Sequence, residues 1–206
     1  FVGSRGLGDV YKRQFKRPSN QFRIMKNLPT IITSSRFIFA ILVAFLLCFN
    51  SDILLSLAVI LFVFGALSDA LDGKLARRQK NPSRFGAFLD PIADKFLVFI
   101  VLVSLTFNRD SVALFILSLI IISREIIIMS LREWMASIQN KNIVEVSSFG
   151  KYKTFIQMCG ISLVIGSPLV DDYYFNEISL SVLSVGAILG IISGFRYLKK
   201  SYKYLF

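Results

Sequence analysis

Eight positions in the middle of the chain carry residue types able to do chemistry. They read Asp69-x-x-Asp72-Gly73-x-x-Ala76-Arg77, an interval of eight residues, then Gly86-x-x-x-Asp90-x-x-x-Asp94. Four carboxylates and three small residues are gathered there, with long apolar runs on both sides. Carboxylates at a membrane boundary are costly unless they bind cations or carry protons, so the segment reads as a site. Hard oxygen ligands of this kind suit Mg²⁺ or Mn²⁺ and the phosphates those ions carry. The chain has no histidine, which excludes His-based acid–base chemistry, His-ligated zinc and Ser-His triads. Its two cysteines, Cys48 and Cys159, fall in apolar runs and are expected as buried small hydrophobes, not as a disulfide or metal pair.

Helical elements would position these groups. Each helical residue turns about 100°, so Asp69, Asp72, Gly73 and Ala76 share one stripe at the end of a helix. Gly73 and Ala76 leave room for a flat base or a phosphate to approach the backbone. Arg77 sits beside the stripe as a fork that can meet phosphate oxygens. Gly86, Asp90 and Asp94 recur every four residues and form a second stripe opening the next helix. Pro91 is tolerable near such a start. Two antiparallel helices would then converge four carboxylates on one volume. Charges near helix ends commonly mark the water interface, which accounts for Lys80, Arg84 and Lys141 but not for four aspartates.

The wider composition fixes the class. Of 206 residues 54% are hydrophobic, yet the net charge is +11, a combination typical of multi-spanning membrane proteins whose charge is segregated into loops. Six apolar stretches are long enough to cross the hydrocarbon as helices: about Pro29–Phe49, Ile53–Asp72, Phe88–Phe107, Val112–Leu131, Phe155–Val170 and Ile178–Tyr197. The expected fold is therefore all-α and polytopic, with six transmembrane helices in one membrane domain spanning residues 25–206. Residues 1–24 form a basic leader without a signal-peptide pattern, expected to lie outside the natural chain, which would open at Met25. Lys74, Arg77, Arg78, Lys80 and Arg84 fall between the second and third spans. Lys141, Lys151 and Lys153 fall between the fourth and fifth, and Arg196, Lys199, Lys200 and Lys203 close the chain. The alternate loops hold Arg109 with Asp110, Asp171, Asp172 and Glu177. That asymmetry predicts both termini and the aspartate motif on the cytoplasmic side.

The spaced motif resembles the signature of the CDP-alcohol phosphatidyltransferase family, with every fixed position present and no gap. Flanking stretches are similar to the bacterial branch that uses glycerol 3-phosphate: Gly86-Ala87-Phe88-Leu89-Asp90-Pro91-Ile92-Ala93-Asp94-Lys95, Arg124-Glu125-Ile126-Ile127-Ile128, Leu131-Arg132-Glu133-Trp134 and Gly150-Lys151-Tyr152-Lys153-Thr154 with Gln157-Met158. Asn27-Leu28-Pro29 with Thr33 and Arg36 resembles the family's first helix, although Thr30 stands where its usual asparagine follows the proline. The resemblance implies a six-helix enzyme of the bacterial cytoplasmic membrane, its active site facing the cytoplasm, that displaces CMP from CDP-diacylglycerol. It implies two metal ions, Mg²⁺ or Mn²⁺, held by Asp69, Asp72, Asp90 and Asp94, with Asp94 doubling as the base. It further implies CDP-lipid binding at Asp69, Gly73, Ala76, Arg77 and Gly86.

A glycerol 3-phosphate acceptor is a dianion and needs cations at the depth of the acids. Arg124 lies about 22 Å along its helix from Arg109, near the inner third of the bilayer. Arg124, Arg132, Lys151 and Lys153 are the candidate phosphate anchors. Ion pairing with Glu125 or Glu133 is the plainer account of Arg124, and topology charge that of the other three. Arg36, buried in the first helix, and Arg196 receive no assignment. Trp134 reads as an interfacial anchor. Partners expected are CDP-diacylglycerol, glycerol 3-phosphate and membrane lipid, but not nucleic acid. The resemblance implies a homodimer, although Gly186-x-x-x-Gly190-x-x-x-Gly194 could equally pack helices within one subunit. Competing readings are a sister transferase with a different acceptor (cardiolipin, phosphatidylserine or phosphatidylinositol phosphate synthesis), a small cation transporter, or an inactive lipid-binding scaffold.

Overall fold

A computed structural model describes residues 20–49, 51–78, 84–137, 148–170 and 172–205, with side-chain surroundings at 34–49, 51–68, 89, 91–135, 137, 152–170, 172–199 and 201–202. Among the described residues there are six α-helices and no strand. They are α1 (Asn20–Leu47), α2 (Asp52–Arg78), α3 (Arg84–Asn108), α4 (Val112–Ser137), α5 (Ser148–Gly166) and α6 (Tyr173–Leu205), with a short 3₁₀ turn at Ser167–Leu169 before α6. Local chemistry sets several of the ends. The Ser111 hydroxyl accepts from the Leu114 N–H at the start of α4, and the Asp172 carboxylate accepts from the Tyr174 N–H at the start of α6. Both satisfy N–H groups that a helix start leaves without an intrahelical partner. Pro168 follows the end of α5, where it cannot continue the helix.

α1 packs on α2 and α3, α5 on α6, and α6 on α4, while α2 reaches α5. The buried core joins all six helices, from Ala40, Val43 and Leu47 on α1 through Phe62, Val101 and Ile121 to Ile165 and Leu183. α5 and α6 approach most closely at glycines. A Cβ on Gly160 would lie 2.7 Å from the Leu183 Cα, and one on Gly186 would lie 3.0 Å from the Gln157 Cα. The glycine stripe of α6 therefore packs against helices of its own subunit.

Large apolar side chains also cover the outer faces, among them Ile41, Phe45, Phe64, Phe115, Ile188 and Phe195. Helices apolar on the outside as well as the inside have a lipid solvent, not water. Three segments are long and apolar enough to cross a bilayer: Pro91–Asn108, Val112–Met135 and Tyr173–Lys199. The described apolar parts of α1 and α2, Ser34–Leu47 and Asp52–Ser68, are shorter. These are the features of an all-helical membrane protein.

Several helices overrun the apolar stretches that marked them. α2 continues to Arg78, α3 opens at Arg84, and α5 opens at Ser148. Hydropathy detects where side chains become polar, whereas lysine and arginine sustain backbone hydrogen bonding well. Lys151 and Lys153 thus belong to α5 and not to a loop, and Arg196, Lys199, Lys200 and Lys203 belong to α6. Pro91 is inside α3. The expectation of two buried cysteines is corrected. Cys48 is exposed in the turn closing α1, where its thiol faces the Ala44 carbonyl, and Cys159 is half-buried; both are free. Lys80, Lys141 and Asp171 lie outside the described residues.

Candidate active site

The helical continuity of α2 through Arg78 keeps Asp69, Asp72, Gly73, Ala76 and Arg77 on one regular helix. α3 does the same for Gly86, Asp90 and Asp94. The side chains of Asp69, Asp72, Ala76, Arg77, Asp90 and Lys151 lie outside those described. Asp94 is described. Its Oδ1 takes the Nη1 of Arg36, whose side chain is completely buried, while Asp94 itself keeps about a third of its side chain accessible. Arg36 Nε also donates to the Ser68 hydroxyl at 3.3 Å, and that hydroxyl donates to the Gly65 carbonyl at 2.7 Å. Ser68 directly precedes Asp69. One arginine from α1 therefore ties the start of the α2 stripe to the end of the α3 stripe. Sequence reading gave Arg36 no role; its depth in an apolar helix was the available signal.

The next residue on α3 faces a second cluster. Lys95 Nζ lies 2.7 Å from Glu125 Oε2. The other carboxylate oxygen, Oε1, accepts from both Arg124 Nη1 and Lys153 Nζ. Glu125 and Lys153 are buried, Arg124 is nearly so, and Lys95 is half-buried. Arg124 Nε donates to the Gly190 carbonyl at 2.9 Å. The cluster lies against Gly190 of α6, where a Cβ would stand 3.4 Å from Lys153 Cε and 3.7 Å from Arg124 Nε. Three cations thus share one carboxylate, and within this group positive charge is in excess. The ion pair foreseen for Arg124 is made with Glu125, and Glu133 is exposed.

Of the four candidate phosphate anchors, the structure brings Arg124 and Lys153 together. Arg132 lies further along α4 against α6, its guanidinium carbon 4.9 Å from the Tyr197 ring centroid and Nη2 3.3 Å from the Tyr197 hydroxyl. Its Nε is buried with no hydrogen-bond partner among the described residues. Lys95 was quoted in the motif's flank without a role. Spacing alone does not disclose which way a residue beside Asp94 will face.

Arg109, at the opposite end of α3, serves a different purpose. It donates to Ser167 Oγ at 2.9 Å and to the Val164 and Ile165 carbonyls at 2.9 and 3.3 Å. These carbonyls belong to the last turn of α5, where a cation complements the helix dipole. Burial pulls the Arg109 guanidinium below its ordinary pKa.

The donor set fits a divalent cation. The four aspartates lie on the two motif helices and are hard oxygen donors by type, and Asp94 is held by Arg36 of α1. The helices have the features of a membrane protein, and Asp94 lies next in sequence to a lysine of the cation cluster around Glu125. Residues 26–192 match the CDP-alcohol phosphatidyltransferase family, and the chain belongs to it. A relative named CDP-diacylglycerol–glycerol-3-phosphate 3-phosphatidyltransferase in Pectobacterium atrosepticum is 39% identical over 174 residues, covering 84% of this chain and 93% of the relative. Proteins of the same name in Wigglesworthia glossinidia brevipalpis and Yersinia enterocolitica are 40% and 39% identical. They cover 87% and 86% of this chain, and 97% and 96% of their own lengths.

Proposed function

We propose that this chain transfers the phosphatidyl group of CDP-diacylglycerol to sn-glycerol 3-phosphate, giving phosphatidylglycerophosphate and CMP in phospholipid biosynthesis. The observation that carries the acceptor is the buried cation cluster of Lys95, Arg124 and Lys153, which begins one residue after Asp94. A phosphate dianion is the ligand such an excess accommodates. An acceptor without a phosphate would leave it unanswered.

In this reading Asp69, Asp72, Asp90 and Asp94 hold two ions, Mg²⁺ or Mn²⁺. Bound ions supply charge neutralisation on the pyrophosphate of the CDP-lipid. Gly73, Ala76 and Gly86 leave the backbone open to the CMP portion, and Arg77 meets phosphate oxygens. Arg124 and Lys153, assisted by Lys95, Arg132 and Lys151, anchor the acceptor phosphate and bring its hydroxyl in line. Asp94 takes the proton as the acceptor oxygen bonds to the phosphatidyl phosphorus. The bond from that phosphorus to CMP breaks, and CMP leaves with its electron pair. Six membrane crossings would put both termini and the acidic stripes on the cytoplasmic side of the bacterial inner membrane, as the distribution of basic residues requires. Residues 25–206 would make up that domain.

The test is CMP release by the purified protein supplied with CDP-diacylglycerol, Mg²⁺ and glycerol 3-phosphate. Release is expected only with all three present, and chelation of the metal should stop it. Release with serine, inositol phosphate or phosphatidylglycerol in place of glycerol 3-phosphate would retain the chemistry and replace the acceptor. No release with any of them would overturn the reading.

A further inference from the structure

Arg36 stands outside the acidic signature and outside the cation cluster, yet its environment singles it out. Its side chain is fully buried in a helix with apolar faces. Burying a guanidinium there is expensive, and an apolar residue of similar size would join helices at lower cost. It pairs with Asp94, the last acid of the signature, and donates to Ser68, the residue before its first acid. α1 has no acidic residue of its own, and Arg36 is the side chain by which it reaches the carboxylate of Asp94.

We propose that Arg36 is the positioning residue for Asp94. From α1 it holds the Asp94 carboxylate in the orientation the transfer needs. The inference rests on the reading of Asp94 given above. A ligand carboxylate with one oxygen engaged by a buried guanidinium has lost its rotational freedom, and outer partners of this type set both the affinity and the geometry of a cation site.

The experiment uses the full chain, with Arg36→Gln and Arg36→Lys compared in CMP release and in Mn²⁺ titration followed by electron paramagnetic resonance. In Arg36→Gln, kcat and Mn²⁺ affinity are each expected to fall roughly 10- to 100-fold, the usual cost of removing an outer partner. The KM for either substrate should move by no more than about threefold, since neither substrate is bound by Arg36. Arg36→Lys keeps the charge without the fork and should recover part of both losses. In an Asp94→Asn background, Arg36→Gln should change Mn²⁺ affinity no further, because the residue it acts through is already altered. Unchanged kcat and Mn²⁺ affinity in Arg36→Gln, or an equal further loss in the Asp94→Asn background, would overturn the proposal. So would loss of helicity in both Arg36 variants, which would make Arg36 a packing residue. A wild-type chain that releases no CMP but shows the Mn²⁺ coupling would overturn the transferase reading and leave the positioning role standing.

Discussion

Asp94 and Lys95 are consecutive on α3, and about 100° of helical turn sends them to unlike neighbourhoods. Asp94 meets Arg36 at the end of a segment rich in carboxylates. Lys95 meets Glu125, which already holds Arg124 and Lys153. One region holds the last aspartate of the signature paired with a single arginine, and the other has cations in excess over one carboxylate. A cation excess is costly in an apolar bundle, and a ligand of the opposite sign relieves it. Under the proposed reaction the aspartates would serve a metal-bound pyrophosphate and the cations a phosphorylated alcohol. A site for a cation alone would have no use for the second region.

The largest effect should come from the acidic side. Asp69→Asn or Asp90→Asn is expected to lower CMP release by about 1,000-fold or more, as loss of a transition-state electrostatic partner does. Helix content and membrane insertion, read by circular dichroism and detergent size exclusion, should be retained. Full activity in either variant would break the comparison, because the aspartates would then not serve the reaction. Next in size, Arg124→Met or Lys153→Met should raise the KM for glycerol 3-phosphate roughly 10- to 100-fold, the loss of a charge-assisted contact of about 1.5–3 kcal/mol. The KM for CDP-diacylglycerol should change far less. Equal changes in both constants would mean that the two regions do not divide the substrates between them. A smaller effect is expected at Gly190→Ala, whose Cβ would come into van der Waals contact with Lys153 Cε at 3.4 Å. The KM for glycerol 3-phosphate should rise only a few fold, about 1 kcal/mol of misplacement.

How far these regions could be read in advance depended on what carries the signal. The helices that carry the acidic positions were legible because spacings of three and four residues survive in sequence as helix periods. The helical runs of α2 and α3 through Asp69–Arg77 and Gly86–Asp94 agree with that expectation. Arg124 and Lys153 were legible as cations, and the pairing of Arg124 with Glu125 was foreseen. The meeting of Lys95 and Lys153 on one carboxylate was not, since it joins three helices and no local period records a tertiary contact. Arg36 failed for the same reason: its partners are 32 and 58 residues away. The overrun of α5 to Ser148 was missed because hydropathy ends where charge begins, although a helix need not.

Arg109 supplies the control for this comparison, and the smallest expected change in activity. It too is an arginine at the end of α3, but its hydrogen bonds go to the Val164 and Ile165 carbonyls and to the Ser167 hydroxyl. Ser167 in turn donates to Asn176 Oδ1 at 3.2 Å, so the arginine joins the end of α5 to the start of α6. Its charge is answered by oriented carbonyl dipoles, which leaves no excess for a ligand. Arg109→Ala should therefore leave both KM values and kcat close to wild type. It should lower stability by about 1–3 kcal/mol, since the α5 carbonyls lose a donor in a partly buried setting. Thermal unfolding in detergent followed by circular dichroism measures the second effect, and CMP release measures the first. A large fall in kcat from this variant would show that the far end of the bundle is coupled to the chemistry. The distinction between an arginine answered by carbonyls and one sharing a carboxylate with other cations would then no longer separate structural from functional positions.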